Sequence, residues 1–243
     1  CPFHPKDLSA RRVDGTHNDL GHPMMGSAGT RFGRNIGLNH VWPDPAPDLL
    51  TPSPREVSRM LMTRSHFLPA ESLNLLAAAW IQFEVHDWFN HPTDLNACLE
   101  IPLRPGDVWH ENPMKIHRAQ RDATRADTPA AYPPTFLNEE THWWDGSQLY
   151  GSTGKIHYLV RSFERGMLRI EADGLLPLDP DPRLHGIDLT GFNNNWWAGL
   201  SVLHTLFVRE HNAICDQLGD VYPTWDDEQI FQTARLVNAA LIA

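Results

Sequence analysis

The stretch whose reading decides the fold is residues 72–90, SLNLLAAAWIQFEVHDWFN. It is apolar nearly all round, the composition of a helix buried in a core. Two polar residues interrupt it: Gln82 and His86 lie four positions apart and so share one helix face. Asp87 follows directly and points about 100° away from that face. A carboxylate set among Val85, Trp88 and Phe89 is costly to bury alone. The helix therefore needs two partners, one for the Gln82/His86 face and one for Asp87.

The segment Thr141-His142-Trp143-Trp144-Asp145-Gly146-Ser147 offers a partner for Asp87. Read as extended chain, it places alternate side chains on one side. Thr141, Asp145 and Ser147 then present oxygens together, with the Trp143 carbonyl between them. With Asp87 this makes two carboxylates, two hydroxyls and backbone carbonyls, a hard-oxygen set suited to Ca²⁺. Spacing alone leaves a second reading open: a turn with Asp145-Gly146 at its corner and Asp87 paired with an arginine. Gln82 and His86 are equally two-valued. They read either as a core histidine bonded to a carbonyl with a neighbouring amide, or as a pair facing a cofactor. In the latter, His86 moves protons and Gln82 orients a bound oxygen species or water. Further on, Arg209-Glu210-His211-Asn212 encircle a helix, so some of them face inward. His204, His211 and Cys215 fall on one face there. A zinc site would need a fourth ligand that the sequence does not nominate, which favours hydrogen bonding between helices.

The rest of the chain sets bounds. Its 243 residues carry a net charge of −10, which argues against phosphate-backbone binding and hence a nucleic-acid partner. Cys1, Cys98 and Cys215 are too few and too scattered for a disulfide framework. The apolar run of residues 75–85 is broken by Gln82 and Glu84 and is too short to span a bilayer. No signal-peptide pattern stands at the start, and Cys1 reads as a missing or processed N-terminus. The expected location is cytoplasmic or at a membrane periphery.

The expected fold class is mainly α. Residues 1–50 read as an ordered, extended arm in which Met24, Met25 and Phe32 need cover; residues 51–243 read as a single domain. Pro54 and Ser53 open a helix over about residues 54–63. Residues 91–135, punctuated by Pro92, Pro102, Pro105, Pro113, Pro129, Pro133 and Pro134, read as irregular with short strands at most. A short helix is expected over residues 155–165, then a small hairpin turning at Ala172-Asp173-Gly174. Residues 179–195 read as loop. A long helix follows over residues 196–218, with Leu200, Leu203, Phe207, Ile214 and Leu218 as its apolar stripe and Gly219 closing it. The last helix starts near Asp226 and Asp227.

Together these residues resemble the haem peroxidase–cyclooxygenase superfamily. Its Trp-x-Gln-x-x-x-His-Asp motif stands here as Trp80 to Asp87. Its calcium loop, ahead of Tyr-Gly-Ser, stands here as Thr141 to Ser147 before Tyr150-Gly151-Ser152. Its Arg-Glu-His-Asn helix is Arg209 to Asn212. The likeness extends over about residues 11–243 and is nearest to fatty-acid α-dioxygenases and their bacterial relatives, carried by VDGTHNDL, FGRN, HDWFNH, THWWDGSQLYG, DGLL and NWWAGLSVLHTLFVREHN. Three departures from the animal peroxidases point the same way. The place of their catalytic Arg falls near Asn193. Val85 replaces the acidic residue that tethers their haem. Trp196-Trp197 occupies the position of the second tether.

The resemblance implies a partial haem peroxidase/cyclooxygenase-like helical domain, the distal half, lacking the half that carries the proximal His. Non-covalently held haem b would rest on Gln82, His86 and Asn193. Ca²⁺ would be held by Asp87, Thr141, Trp143, Asp145 and Ser147. The implied chemistry is peroxide oxidation of the haem with His86 as proton shuttle and Gln82 aiding. A tyrosyl radical then abstracts hydrogen next to a fatty acid's carboxylate, and dioxygen adds there to give a 2-hydroperoxide. Lacking the distal Arg, classical peroxidase turnover would be weak. The proximal His and the radical Tyr lie beyond Ala243 in the family; none of Tyr132, Tyr150, Tyr158 or Tyr222 matches the radical position. They would come from a further C-terminal half, on the same or a separate chain, and this chain alone would be inactive. Three other readings stand beside this one: a plain haem peroxidase acting on small reductants, a metal-dependent hydrolase using His86-Asp87, and a non-catalytic structural fragment. Peripheral membrane contact is compatible with all of them.

Overall fold

A computed structural model describes residues 10–42, 46–124 and 133–243. Cys1, Pro129 and Tyr132 lie outside the described residues. The elements in chain order are α1 (Ala46–Leu49), α2 (Pro54–Met62), α3 (Leu75–Trp88), β1 (Thr93–Ile101), β2 (Met114–Ala119), α4 (Ser147–Tyr150), α5 (Gly154–Val160), α6 (Ala198–Val221) and α7 (Asp227–Ile242). They fall into two compact units. One comprises Leu73–Asn90 and Asn138–Ala243 with the described part of Cys1–Thr30; the other comprises Arg31–Ser72 and His91–Leu137.

The first unit is helical and carries α3 through α7. Helix α3 starts at Asn74, whose side chain accepts from the Ala77 amide, and it ends at Phe89, where the chain turns extended. Its buried side is Ala79, Phe83, His86 and Asp87. Phe83 stacks on Phe207 of α6, with ring centroids 5.4 Å apart. Around this contact lies one core that includes Leu149, Tyr150, Val160, Leu200, Leu203, Phe231 and Ile242. Helix α7 opens with a reciprocal cap, in which Asp226 accepts from the Gln229 amide and Gln229 accepts from the Asp226 amide. Short α4 packs against both α3 and α6. The loop after Leu189 presses directly on α4. A side chain at Gly191 would meet the Ser147 carbonyl oxygen and the Gly151 amide nitrogen, both backbone atoms that cannot turn aside. Gly191→Ala is therefore expected to destabilise the unit by about 2–3 kcal/mol, read as a lowered melting temperature.

Residues 10–30 are a series of turns rather than an extended arm. Ala28 N–H donates to Asp14 O at 2.9 Å, Gly29 N–H to Asn138 O at 2.6 Å and His142 N–H to Gly26 O at 2.8 Å. Met24 (62 % exposed), Met25 (49 %) and Phe32 (42 %) do not receive the cover expected of them.

In the second unit, β1 and β2 pair antiparallel, from Thr93 opposite Ala119 to Ile101 opposite Met114, with an irregularity between Asp94 and Cys98. The nine-residue β1 is longer than the proline-rich sequence suggests; none of the prolines falls inside either strand. Arg55 of α2 binds Asp107 through two nitrogens, at 2.9 and 2.6 Å. That ion pair holds the Asp107 carboxyl below the usual carboxylate range. Ser53 is the N-cap of α2 but makes no side-chain capping bond.

Two further expectations are corrected. The turn at Ala172-Asp173-Gly174 forms, closed by Gly174 N–H to Glu171 O at 2.9 Å. Its arms do not pair as strands: Leu168 bridges to Arg161 and Leu178 to Asp188 instead. Gly219 does not close α6, which continues to Val221, where Tyr222 N–H still reaches Leu218 O at 2.8 Å. A glycine can continue a helix at modest cost where the flanking residues propagate it.

Candidate functional site

The loop after Asn138 does not run extended through Thr141–Ser147. It bends, passes Gly146 in the left-handed region (φ 74°) and enters α4 at Ser147. Side-chain alternation therefore does not operate here, yet the bend gathers the same oxygens. Ser147 donates to Asp87 Oδ1 from its amide at 2.6 Å and from its hydroxyl at 3.0 Å. Thr141 Oγ1 donates to Asp145 Oδ1 at 2.9 Å and lies 3.4 Å from the Trp143 carbonyl. Asp87, Thr141, Asp145 and Ser147 are all buried. The arginine sits on Asp145, not on Asp87: Arg235 Nη2 lies 3.4 Å from Asp145 Oδ2.

Electrostatics mark this cluster as starved of positive charge. Burial, with the neighbouring Asp145 charge, pushes the Asp87 carboxyl up to about 7. Burial also raises Asp145, against the pull of Arg235. The donors suit a hard cation: two carboxylates, two hydroxyls and a carbonyl, with one arginine offsetting part of the charge. No group of three or more His, Cys, Asp or Glu stands together among the described residues, so any ion here would take its remaining ligands from hydroxyl and carbonyl oxygens.

His86 lies one residue before Asp87 and points elsewhere. Its ring meets the edge of Phe192, with centroids 4.6 Å apart. Nδ1 is sealed from solvent and has no hydrogen-bond partner; Nε2 is not sealed. Burial lowers the imidazole to about 4, so it stays neutral near pH 7. The His86-Asp87 doublet therefore diverges, one side chain toward Phe192 and the other toward Ser147, which removes the basis for a shared metal in a hydrolase.

Gln82 is not a free companion of His86. Its amide donates to Asn195 O at 3.2 Å and accepts from Trp197 Nε1 at 2.8 Å. Asn195 adopts a positive φ of 54°, and the Gln82 clamp helps hold that strained turn. Asn193 donates its amide to Asp179 at 3.2 Å. Both amides thus fix the loop of residues 193–197 beside α3. The Arg-Glu-His-Asn run divides as a helix requires. Arg209 and Glu210 are exposed. His211 Nδ1 meets Tyr150 Oη at 3.0 Å, and Asn212 exchanges two hydrogen bonds with the Leu168 backbone. Cys215 lies 3.4 Å from His211 Nε2 and shares with it the Gly166 carbonyl.

Three participants carry no motif. Arg235 lies on the buried stripe of α7 with Phe231, Ala234 and Asn238, a periodicity that marks it as an inward charge needing a carboxylate. Phe192 and Gln148, by contrast, have no sequence signal that distinguishes them from ordinary core residues.

The helical unit thus holds one histidine edge-on to Phe192 and ties the next residue, Asp87, to a hydroxyl-rich loop. Residues 10–243 match the animal haem peroxidase family, and the chain belongs to it. It is 38 % identical over 244 residues to alpha-dioxygenase 1 of Capsicum annuum, covering 98 % of this chain and 36 % of that protein. Among solved structures, the fatty acid alpha-dioxygenase of Arabidopsis thaliana superposes with a TM-score of 0.82 at 34 % identity, covering 100 % of this chain and 37 % of that one. That of Oryza sativa, solved with palmitic acid, gives 0.80 at 36 % identity, covering 100 % and 38 %. The chain thus spans little more than a third of these relatives.

Proposed function

We propose that this chain is the distal part of a haem-dependent fatty-acid dioxygenase. The observation that carries the reading is His86: a neutral imidazole on the buried side of α3, with Nε2 open and the next residue, Asp87, anchored to the oxygen-rich loop at Ser147. Haem b, held without a covalent tether, would supply the oxidising iron centre and would lie against His86 and the loop that Gln82 and Asn193 fix. Val85 offers no acid for an ester bond, which supports the non-covalent mode. His86 takes a proton from bound hydrogen peroxide at Nε2 and returns one. Gln82 acts on this face mainly by holding residues 195–197 in place. Asp87, Thr141, the Trp143 carbonyl, Asp145 and Ser147 would hold Ca²⁺, which would fix the end of α3 that bears His86.

The proximal His and the radical Tyr belong to a further C-terminal half, on the same chain or a separate one. The relatives' greater length supports this, as does apolar surface on α3, α6 and α7: Leu75 (69 % exposed), Ile81 (62 %), Val202 (55 %) and Leu241 (55 %). No helix of the described residues is long and apolar enough to cross a membrane; peripheral contact remains part of the proposal.

The test uses the full-length native polypeptide, or the two-chain complex, loaded with haem. Oxygen uptake with a long-chain fatty acid and a trace of peroxide, without added reductant, is the expected result. Turnover confined to small reductants would assign a plain peroxidase, and failure to develop a Soret band on haem addition would overturn the reading.

A further inference from the structure

Residues 10–30 grip the oxygen-rich loop at each of residues 142, 143 and 144. His142 N–H donates to Gly26 O at 2.8 Å, and Trp143 Nε1 donates to Met25 O at 3.2 Å. Arg11 Nη1 donates to Trp144 O at 3.0 Å, while the Arg11 carbonyl accepts from Arg235 Nη1 at 3.3 Å. At the loop's entry Gly29 N–H donates to Asn138 O at 2.6 Å, and Asn138 N–H donates to Thr30 O at 2.9 Å. The segment is also closed on itself, since Ala28 N–H reaches Asp14 O at 2.9 Å. Its backbone lies directly against the loop. A Cβ at Gly15 would stand 2.9 Å from Thr141 Cγ2, and one at Gly26 would stand 2.7 Å from Trp143 Nε1.

These bonds fall on a particular set of atoms. The oxygens suited to a hard cation are the Asp87 and Asp145 carboxylates, the Thr141 and Ser147 hydroxyls and the Trp143 carbonyl. None of the bonds from residues 10–30 uses one of them. They take the His142 amide, the Trp143 indole and the Trp144 carbonyl, groups that lie between the candidate ligands. In Trp143 the division runs through one residue. Its indole is tied to Met25 O, while its carbonyl accepts from the Asp145 amide at 2.9 Å and lies 3.4 Å from Thr141 Oγ1. Two carboxylates in one buried place repel each other, and a loop that bears one of them opens unless its backbone is restrained. Restraint before binding also lowers the ordering cost when an ion arrives.

We infer that residues 10–30 are a clasp that holds the 141–147 loop in a cation-ready arrangement, acting through Arg11, Met25 and Gly26 on groups that are not ligands. The grip on the loop stands on the hydrogen bonds above; its consequence for calcium rests on the function proposed above.

Gly26→Ala and Gly29→Ala separate the clasp from general damage. Both glycines are left-handed, at φ 71° and 77°, so alanine meets the same kind of backbone strain at either. Only Gly26 abuts the loop; a Cβ at Gly29 would have nothing within 4 Å. In the full-length protein stripped of calcium, hydrogen exchange at the His142 and Asp145 amides is expected to be several-fold faster in Gly26→Ala than in Gly29→Ala. Calcium titrated calorimetrically should bind Gly26→Ala about 10–100-fold more weakly than Gly29→Ala, the usual loss when the support of a metal ligand is removed. Trp143→Phe keeps the carbonyl and drops the indole N–H. It should show both effects relative to the parent, and it replaces Gly26→Ala should that variant fail to fold. Equal exchange in the two glycine variants would overturn the clasp. Faster exchange with equal calcium affinity would overturn its role in cation binding. A parent that binds no calcium would count against the calcium site of the proposed function, while the exchange comparison still decides whether the clasp holds the loop.

Discussion

Replacing His86 by alanine in the haem-loaded full-length protein is expected to slow peroxide-driven substrate oxidation by about 10²–10⁴-fold, the usual contribution of a positioned proton-transfer group. The reason lies in three properties of this side chain. It is almost fully buried yet leaves Nε2 unsealed. Its ring is held edge-on to Phe192, so the nitrogen has one direction. Burial lowers its pKa to about 4, so the free base is present at every pH above that value. The parent's rate should therefore be nearly flat from about pH 5.5 to 8 as far as this base is concerned, and should fall as pH drops through about 4. His86→Gln, which keeps a polar group but no proton shuttle, should be as impaired as His86→Ala. Stopped-flow measurement of the peroxide reaction checks both points. A loss below tenfold would remove His86 from the proton-transfer role, whereas loss of haem absorbance in the variant would indicate a binding role instead.

How much of this was legible in the sequence depends on what each residue's neighbours do. Helix α3 could be read from composition, and its two demands, for His86 and for Asp87, followed from a 100° helical step. The loop that meets Asp87 follows a different backbone path from the one strand spacing predicts. Thr141, Asp145 and Ser147 do converge, but through the left-handed turn at Gly146 and the start of α4, not through strand alternation. A motif can fix which oxygens meet while leaving the backbone path open. Gln82 shows the reverse. Its spacing to His86 was correct, yet its amide is committed to Asn195 and Trp197, more than a hundred residues away in sequence. No local pattern encodes that contact. Apolarity all round α3 also overstated its burial: Leu75, Leu76 and Ile81 are exposed, so the sequence carries a demand for cover that this stretch of chain does not itself meet. Hairpin arms and helix ends failed where tertiary contacts overrode local propensity, at Leu168 and at Gly219.

Calcium removal is expected to make stability fall steeply with rising pH, and Asp145→Ala to remove the calcium effect. In the ion-free protein, Asp87 is raised to about 7 by burial and by Asp145. A carboxyl with a raised folded-state pKa contributes stability that is full below its ordinary value near 4 and is lost as pH rises through about 7. Chelator-treated protein should therefore melt lower at pH 8 than at pH 5.5. A bound divalent cation needs both carboxylates ionised, so its affinity should rise about tenfold per pH unit while Asp87 remains protonated, then level off above pH 7. With calcium at about 100 times its dissociation constant the gain at pH 8 is about 2.7 kcal/mol, against a smaller gain at pH 5.5 where binding is weaker, so the two pH values should become about equally stable. Asp145→Ala strips one carboxylate and leaves Arg235, 1 % exposed, without its ion-pair partner. Breaking a buried pair in this way costs about 3–5 kcal/mol, and the variant should melt at the same temperature with calcium or chelator. Asp87→Asn separates the two effects: it should abolish the calcium response while sparing the Arg235 pair, and without the ion it should be more stable than the parent at pH 8, because its neutral amide ends the repulsion with Asp145. Thermal melts of the three proteins at pH 5.5 and 8, each with calcium and with chelator, give the comparison. A parent whose melting temperature ignores calcium at both pH values would show that Arg235 alone balances this carboxylate pair.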